Sequence, residues 1–305
     1  MTIFRVALVL GALTVACGCA TSTRPHVDPL RAPSVLSGIE MIGELKAFEE
    51  SLGGHETENF LRYSSRPMAD NRCYFTGALQ LPAFYSGLRM VREDESRCLA
   101  RAPESDVFFY PVQAVASGEE TVTVALADAP VERVLVVVPH EDFHNQAETR
   151  KAPTEVAEAA ATLVGFLTAT DFAREKFGED SQTFRMLERD ADLFLRKSLA
   201  VNRFYEKLSE LYKAYGSGGL TQEETFDKKR ELFAELQQAC SAISPDPASF
   251  NKCPAAMNNA GLAFDRTYTR NYPSMHELYG SLGKNTATLV LTLKRLLPSW
   301  PSDER

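Results

Sequence analysis

The sequence predicts a mainly α-helical fold with a small β component, an α+β arrangement that includes a long helical hairpin. Two kinds of pattern carry this reading: apolar residues recurring at helical spacing over long stretches, and a few short β-branched or aromatic runs. From Ser37 to Leu52, Ile39, Ile42, Leu45 and Phe48 form a helical stripe. Val107–Val115 and Thr121–Leu126 read as short strands within a mixed stretch from about residue 54 to 130. Val134–Val138 is continuously apolar and β-branched, which favours a buried strand, although it also suits the first turns of a helix. Pro139 favours a break before His140, because proline suits the first turn of a helix. Asn145–Pro153 is polar and reads as a loop, and Thr154-Glu155 then opens an Ala-rich helix through Ala169.

From Ser181 to Tyr215 the pattern is strongly helical, with Phe184, Leu187, Leu195, Leu199, Phe204, Leu208 and Leu211 among its apolar positions. Gly216-Ser217-Gly218-Gly219 interrupts it, and Thr221 with Glu224 forms a capping box for the next helix, so the two helices pair as an antiparallel hairpin. These glycines follow a helix rather than a strand, which argues against a phosphate-binding loop. Leu289–Leu297 reads as a last amphipathic helix.

The chain has 305 residues and a formal charge of −8, with ordinary apolar and charged fractions of 44% and 24%. Nothing gives a basic footprint, which argues against nucleic acid as a partner. Arg5 followed by the short apolar run Val6–Val15 and Ala16-Cys17-Gly18-Cys19 reads as an export signal, too short to span a bilayer. A small residue directly before a cysteine resembles a bacterial lipobox, with Cys19 favoured over Cys17 as the lipidated residue. The predicted organisation is a lipoprotein-type signal at 1–19, a tether rich in Thr, Ser, Pro and Arg at 20–33, and one domain at 34–305. The remaining cysteines, Cys73, Cys98, Cys240 and Cys253, invite a disulfide reading in an exported protein. Their pairing is open; the local solution is Cys73–Cys98 with Cys240–Cys253, the second closing a short loop for about 3 kcal/mol. None has the spacing of a zinc knot.

The chemistry concentrates in His140-Glu141-Asp142-Phe143-His144. Histidines at i and i+4 share a helix face and can reach one metal ion, while the intervening glutamate can take a proton from water. Histidine is scarce, with five in the chain. A catalytic zinc needs a third protein ligand. The metzincin extension is excluded, because Ala147 and Arg150 stand where glycine and histidine would be required. Glu158 is the favoured third ligand, since the small residues Ala159-Ala160-Ala161 and Gly165 would let its helix approach closely. Glu155 is the alternative, as ligand or as a partner of a ligand imidazole.

Taken together, these segments resemble the predicted aminopeptidases of Gram-negative bacteria, zincin-like lipoproteins of the periplasm. The resemblance rests on H-E-x-x-H, on Ala157-Glu158-Ala159-Ala160-Ala161-Thr162-Leu163-Val164-Gly165 at nearly the family spacing, and on Asn258-Asn259-Ala260-Gly261-Leu262 followed by Tyr268. Val107-Phe108-Phe109-Tyr110-Pro111-Val112 is a weaker echo of a strand that precedes the metal helix. It covers roughly residues 105–297; Ala157 replaces the family's asparagine and Asp142-Phe143 its commoner Leu-Ala pair. The resemblance implies a zincin-like metallopeptidase domain at the outer membrane, with Zn2+ held by His140, His144 and Glu158.

On this reading, Glu141 is the general base and Tyr268 donates to the developing oxyanion, with Tyr272 and His276 as alternatives. Asn258 and Asn259 either bind substrate backbone or cap a helix. Glu155 and Asp265 are the acids that could receive the amino terminus of a peptide. The competing readings are a non-catalytic envelope lipoprotein that uses the fold as a binding module, and a metallo-hydrolase of non-peptide amides.

Overall fold

A computed structural model describes residues 32–243, 249–250 and 253–301. The signal sequence, both lipobox cysteines and the tether up to residue 31 lie outside the described residues. Ala32 and Pro33, assigned to the tether from sequence, already belong to the first helix, α1 (Ala32–Ser51).

A small antiparallel sheet follows, in the order β2-β1-β3, from β1 (Asp70–Thr76), β2 (Arg89–Arg92) and β3 (Asp106–Val112), with the short helix α2 (Glu95–Leu99) before β3. Alternation along β1 separates two faces. Cys73 turns to one side, opposite Phe109 and Val91, and its disulfide to Cys98 ties the sheet to α2. Arg72 and Tyr74 turn to the other side, opposite Tyr110 and Phe108. The predicted second strand, Thr121–Leu126, does not form. Val122 makes one parallel bridge with Tyr63, and the Thr123 hydroxyl then caps the single-turn helix α3 (Val124–Ala127) by accepting from Leu126 N–H. A side-chain cap gives that backbone a helical alternative to a strand ladder.

The next element corrects two expectations. Val134–Val138 is not a strand, and Pro139 does not break the chain: both lie inside α4 (Val131–His144). Val134, Leu135, Val136 and Val138 are all buried, because α4 packs on several sides, chiefly against α5 (Thr154–Phe177) and also against α1. Burial on several sides overrides the β preference of the valines, which reflects packing more than backbone choice. Pro139 cannot donate the N–H that would have closed on Leu135, and the helix tolerates that loss within the packed core. Asp142, on the same helix, accepts from Lys46 of α1, Thr57 and Asn59, all within a buried network that fixes the rotation of α4.

Helix α5 is apolar enough to span a membrane by length and composition, but 89% of that window is buried inside the protein, so it is the central core helix. Ala159, Ala160, Ala161 and Ala169 are fully buried on it. A Cβ at Gly165 would meet the Val136 carbonyl oxygen at 2.7 Å and His140 Cβ at 3.3 Å, so this glycine permits the closest approach of α4 and α5.

The hairpin is formed by α6 (Gln182–Gly216) and α7 (Gln222–Ser241), with Ser181 capping the first and the Thr221–Glu224 box capping the second. Val201, Phe204, Leu208, Phe233 and Leu236 join its halves. Leu199, assigned to the apolar stripe, is instead 56% exposed, while Asp190, Lys197 and Ser198 are buried. Over 35 residues the buried face also meets polar partners from other elements. The chain closes with α8 (Asn259–Thr269), α9 (Tyr272–Ser281) and α10 (Thr286–Leu296). The disulfides take the local pairing, Cys73–Cys98 and Cys240–Cys253. The Asn258 side chain caps α8 by accepting from Gly261 N–H and donates to the Val107 carbonyl. Asn259 is fully buried and donates to Gln80 O at 2.8 Å. Both asparagines therefore dock α8 onto its neighbours rather than face a substrate.

Candidate metal centre

Three helices build the site. The last turns of α4 present His140 and His144 on one face, with Glu141 beside them. The first half of α5 presents Glu158, and α8 presents Tyr268. Close approach at Gly165 brings α4 and α5 together, so the ligand-type atoms of His140, His144 and Glu158 all lie within 4.8 Å of one another. Nε2 of His144 is 3.2 Å from Nε2 of His140 and 3.0 Å from Oε2 of Glu158, and Nε2 of His140 is 3.3 Å from the same oxygen.

The surroundings orient these donors. Oε1 of Glu158 accepts a hydrogen bond from the Tyr85 hydroxyl at 2.9 Å, which leaves Oε2 for the imidazoles. The Thr162 hydroxyl donates to the Glu158 carbonyl at 2.7 Å and lies 3.4 Å from Nδ1 of His140. Burial alone would raise the Glu158 carboxyl, but the charge and hydrogen bonds of His144 and His140 outweigh it and hold the group well below the ordinary carboxylate range. Burial works against a charged His144, yet the Glu158 carboxylate outweighs it and raises the imidazole. Two nitrogens and one carboxylate oxygen converging in this way, with outer partners that fix their orientation, suit zinc.

Glu141 is half-buried and lines the same clefts as His140 and Tyr268. Burial raises its carboxyl above the ordinary value, against the opposing pull of His140 and His144, which brings it closer to the range useful for a base near neutrality. Tyr268 lies close to parallel with the His140 ring, at 6.3 Å between centroids and 28° between planes. Burial, followed by the charge of Glu158, raises its hydroxyl well above the ordinary value, so it stays protonated and can donate.

The alternatives from the sequence fall elsewhere. Glu155 is buried one turn earlier on α5, outside the group formed by His140, His144 and Glu158. Tyr272 is fully buried against Phe194, and His276 stacks on Tyr272, so neither lines the clefts beside the histidines. Asp265 does line one of them, but Lys197 pairs with its Oδ1 at 2.7 Å and Ala255 N–H donates to its Oδ2 at 2.6 Å.

Two clefts meet at His140, Glu141 and Tyr268. One, of about 700 Å³, is walled by Phe166, Phe194, Phe250 and Phe264. The other, of about 580 Å³, is roofed by the sheet through Arg72, Tyr74 and Tyr110, with Tyr85 closing it near Glu158. Sequence reasoning missed Tyr85 and Arg72 as site residues, since neither lies in a motif and only the tertiary fold carries them to the histidines.

Residues 121–305 fit the family described as "Putative aminopeptidase", a span that includes α4, α5 and α8 but not the β1–β3 roof. No curated protein and no solved structure matches the chain. With well over half its length fitting that model, from the strand-like bridge at Val122 through the helices that carry His140, Glu158 and Tyr268, the chain belongs to the putative aminopeptidase family.

Proposed function

We propose that this protein is a zinc-dependent peptidase acting as an aminopeptidase, with Zn2+ bound by His140, His144 and Glu158. The observation that carries the reading is the convergence of those three side chains beside Glu141 in an open cleft. Held by His140, His144 and Glu158, zinc would supply Lewis-acid polarisation of a carbonyl and bring the ionisation of water near neutrality. Glu141 then accepts the proton lost by the attacking water and returns it to the leaving amine. Tyr268, kept protonated by its buried position, donates a hydrogen bond to the oxygen on which negative charge develops. Export and a lipid anchor at Cys19 or Cys17, placing the enzyme at the bacterial outer membrane, complete the proposal. The two disulfides support an oxidising compartment for the folded domain.

The test combines metal analysis with a peptide-library digest for wild type and Glu141→Gln. Zinc in both proteins, with cleavage at the amino terminus by wild type alone, is the expected result. Equal cleavage by the two would remove Glu141 as the base, and absence of bound zinc would remove the metal centre.

A further inference from the structure

The sheet supplies a charge to the metal cleft that the proposed reaction does not use. Asp70, Arg72 and Tyr74 share one face of β1, and Arg72 lines the cleft that also contains His140, Glu141, His144 and Glu158. Among the described residues lining that cleft, Arg72 is the one lysine or arginine. In the neighbouring aromatic cleft, the cations are already engaged. Arg133 donates to Ser249 O and Gln113 Oε1, each at 2.9 Å, and Lys197 pairs with Asp265.

Arg72 is held differently. Its Nε donates to Asp70 Oδ2 at 3.0 Å, and Nε of Arg92 donates to the same oxygen at 2.9 Å. Two guanidinium groups thus share one carboxylate, and the cluster keeps a net positive charge. Fixing Nε on Asp70, with a second hydrogen bond to the Tyr74 side chain, orients the planar fork, and a guanidinium has five N–H donors, more than these two contacts use. The Arg72 side chain is only 26% exposed, so an ion pair formed there is less screened than one on the open surface. Glu141 and Glu158 would otherwise repel an anionic group entering this cleft.

We propose that Arg72 is a specificity-determining residue that receives a substrate carboxylate, so that preferred peptides carry a free α-carboxylate or an acidic side chain close to the scissile bond. What the carboxylate belongs to rests on the peptidase reading above; the recognition itself rests on Arg72, Asp70 and the cleft. A paired guanidinium–carboxylate contact adds geometric selection as well as charge.

The test measures calorimetric binding of Phe-Ala-Ala as the free acid, the same peptide as its C-terminal amide, and Phe-Ala-Glu amide. The proteins compared are Glu141→Gln with Arg72 intact and the double variants with Arg72→Gln or Arg72→Lys. With Arg72 intact, at least one carboxylate peptide should bind about tenfold tighter than Phe-Ala-Ala amide. Which of the two does so identifies the α-carboxylate or the side chain as the source. Arg72→Gln should abolish the preference while leaving the amide's affinity unchanged, and Arg72→Lys should keep part of it. Thermal melting checks that each variant is folded. A preference that persists in Arg72→Gln, no preference with Arg72 intact, or equal losses for acid and amide would each overturn the proposal. Turnover of the same peptides by wild type is scored separately: failure to hydrolyse any of them removes the peptidase reading and leaves the binding comparison decisive.

Discussion

The phenol of Tyr85 donates a hydrogen bond to Oε1 of Glu158 at 2.9 Å, across 73 residues of sequence. The other carboxylate oxygen faces both histidines, so Tyr85 sets which oxygen of Glu158 is offered to a metal. Outer partners of this kind are typically worth about 10–100-fold in metal affinity. Tyr85→Phe should therefore weaken zinc binding by about that factor in competition with a chelator while leaving the fold intact. Unchanged affinity would reduce Tyr85 to a packing residue of the cleft.

Gly165→Ala tests the closeness of the two ligand-bearing helices. The added methyl would meet the Val136 carbonyl oxygen at 2.7 Å, which is backbone and cannot rotate away. Overpacking of this sort costs about 1–3 kcal/mol. The expected outcome is a lower urea midpoint together with weaker zinc binding, since α5 carries Glu158 and α4 the histidines. A loss of stability with full metal affinity would separate the packing from the site.

Asp142 sits beside Glu141 but points into the protein, where Lys46, Thr57 and Asn59 converge on it. Removing one partner of a buried ion pair leaves an uncompensated charge and costs about 3–5 kcal/mol. Asp142→Asn should lose stability on that order in denaturant titrations, chiefly through Lys46. A change well under about 1 kcal/mol would mean that the network does not anchor α1 to α4.

The metal-free protein should show a bell-shaped contribution from the Glu158–His144 contact. The Glu158 carboxyl is lowered on folding because the imidazoles outweigh burial, so its contribution is present above its unfolded value and lost as pH falls through the folded one. The His144 imidazole is raised because Glu158 outweighs burial, so its contribution is present below its unfolded value and lost as pH rises through the folded one. The advantage of wild type over Glu158→Gln should thus be complete between about pH 4.3 and 6.5, the ordinary values of the two groups. Thermal melts of both proteins in chelator across that range and beyond measure it. An advantage that grows steadily above pH about 7 would contradict the assignment.

Much of the helical framework was legible because it depends on local signals. The α6–α7 hairpin announced itself through the glycine break and the capping box at Thr221 and Glu224, and both are present in the structure. Positions i and i+4 of His140 and His144 needed only helical geometry. The valine run at 134–138 misled, because its β-branched residues and the following proline point locally to a strand and a stop. Contact with α5 and α1 decides instead for a continuous helix. The small sheet was only partly visible: Asp70–Thr76 mixes charged, aromatic and cysteine residues whose alternation makes sense only once the disulfide side and the cleft side are known.

The sequence by itself determined the donor types, their spacing on α4, and the small-residue face of α5 that makes Glu158 reachable. Tertiary structure decided which acid stands with the histidines, since Glu155 and Glu158 differ by less than one helical turn and only the crossing at Gly165 separates them. It also decided what surrounds the centre: Tyr85 on Glu158, Lys197 on Asp265, and Arg72 on the roof. Periodicity reports which face of a helix is buried, but contacts between residues far apart in the chain depend on how the elements pack, and no local pattern encodes that.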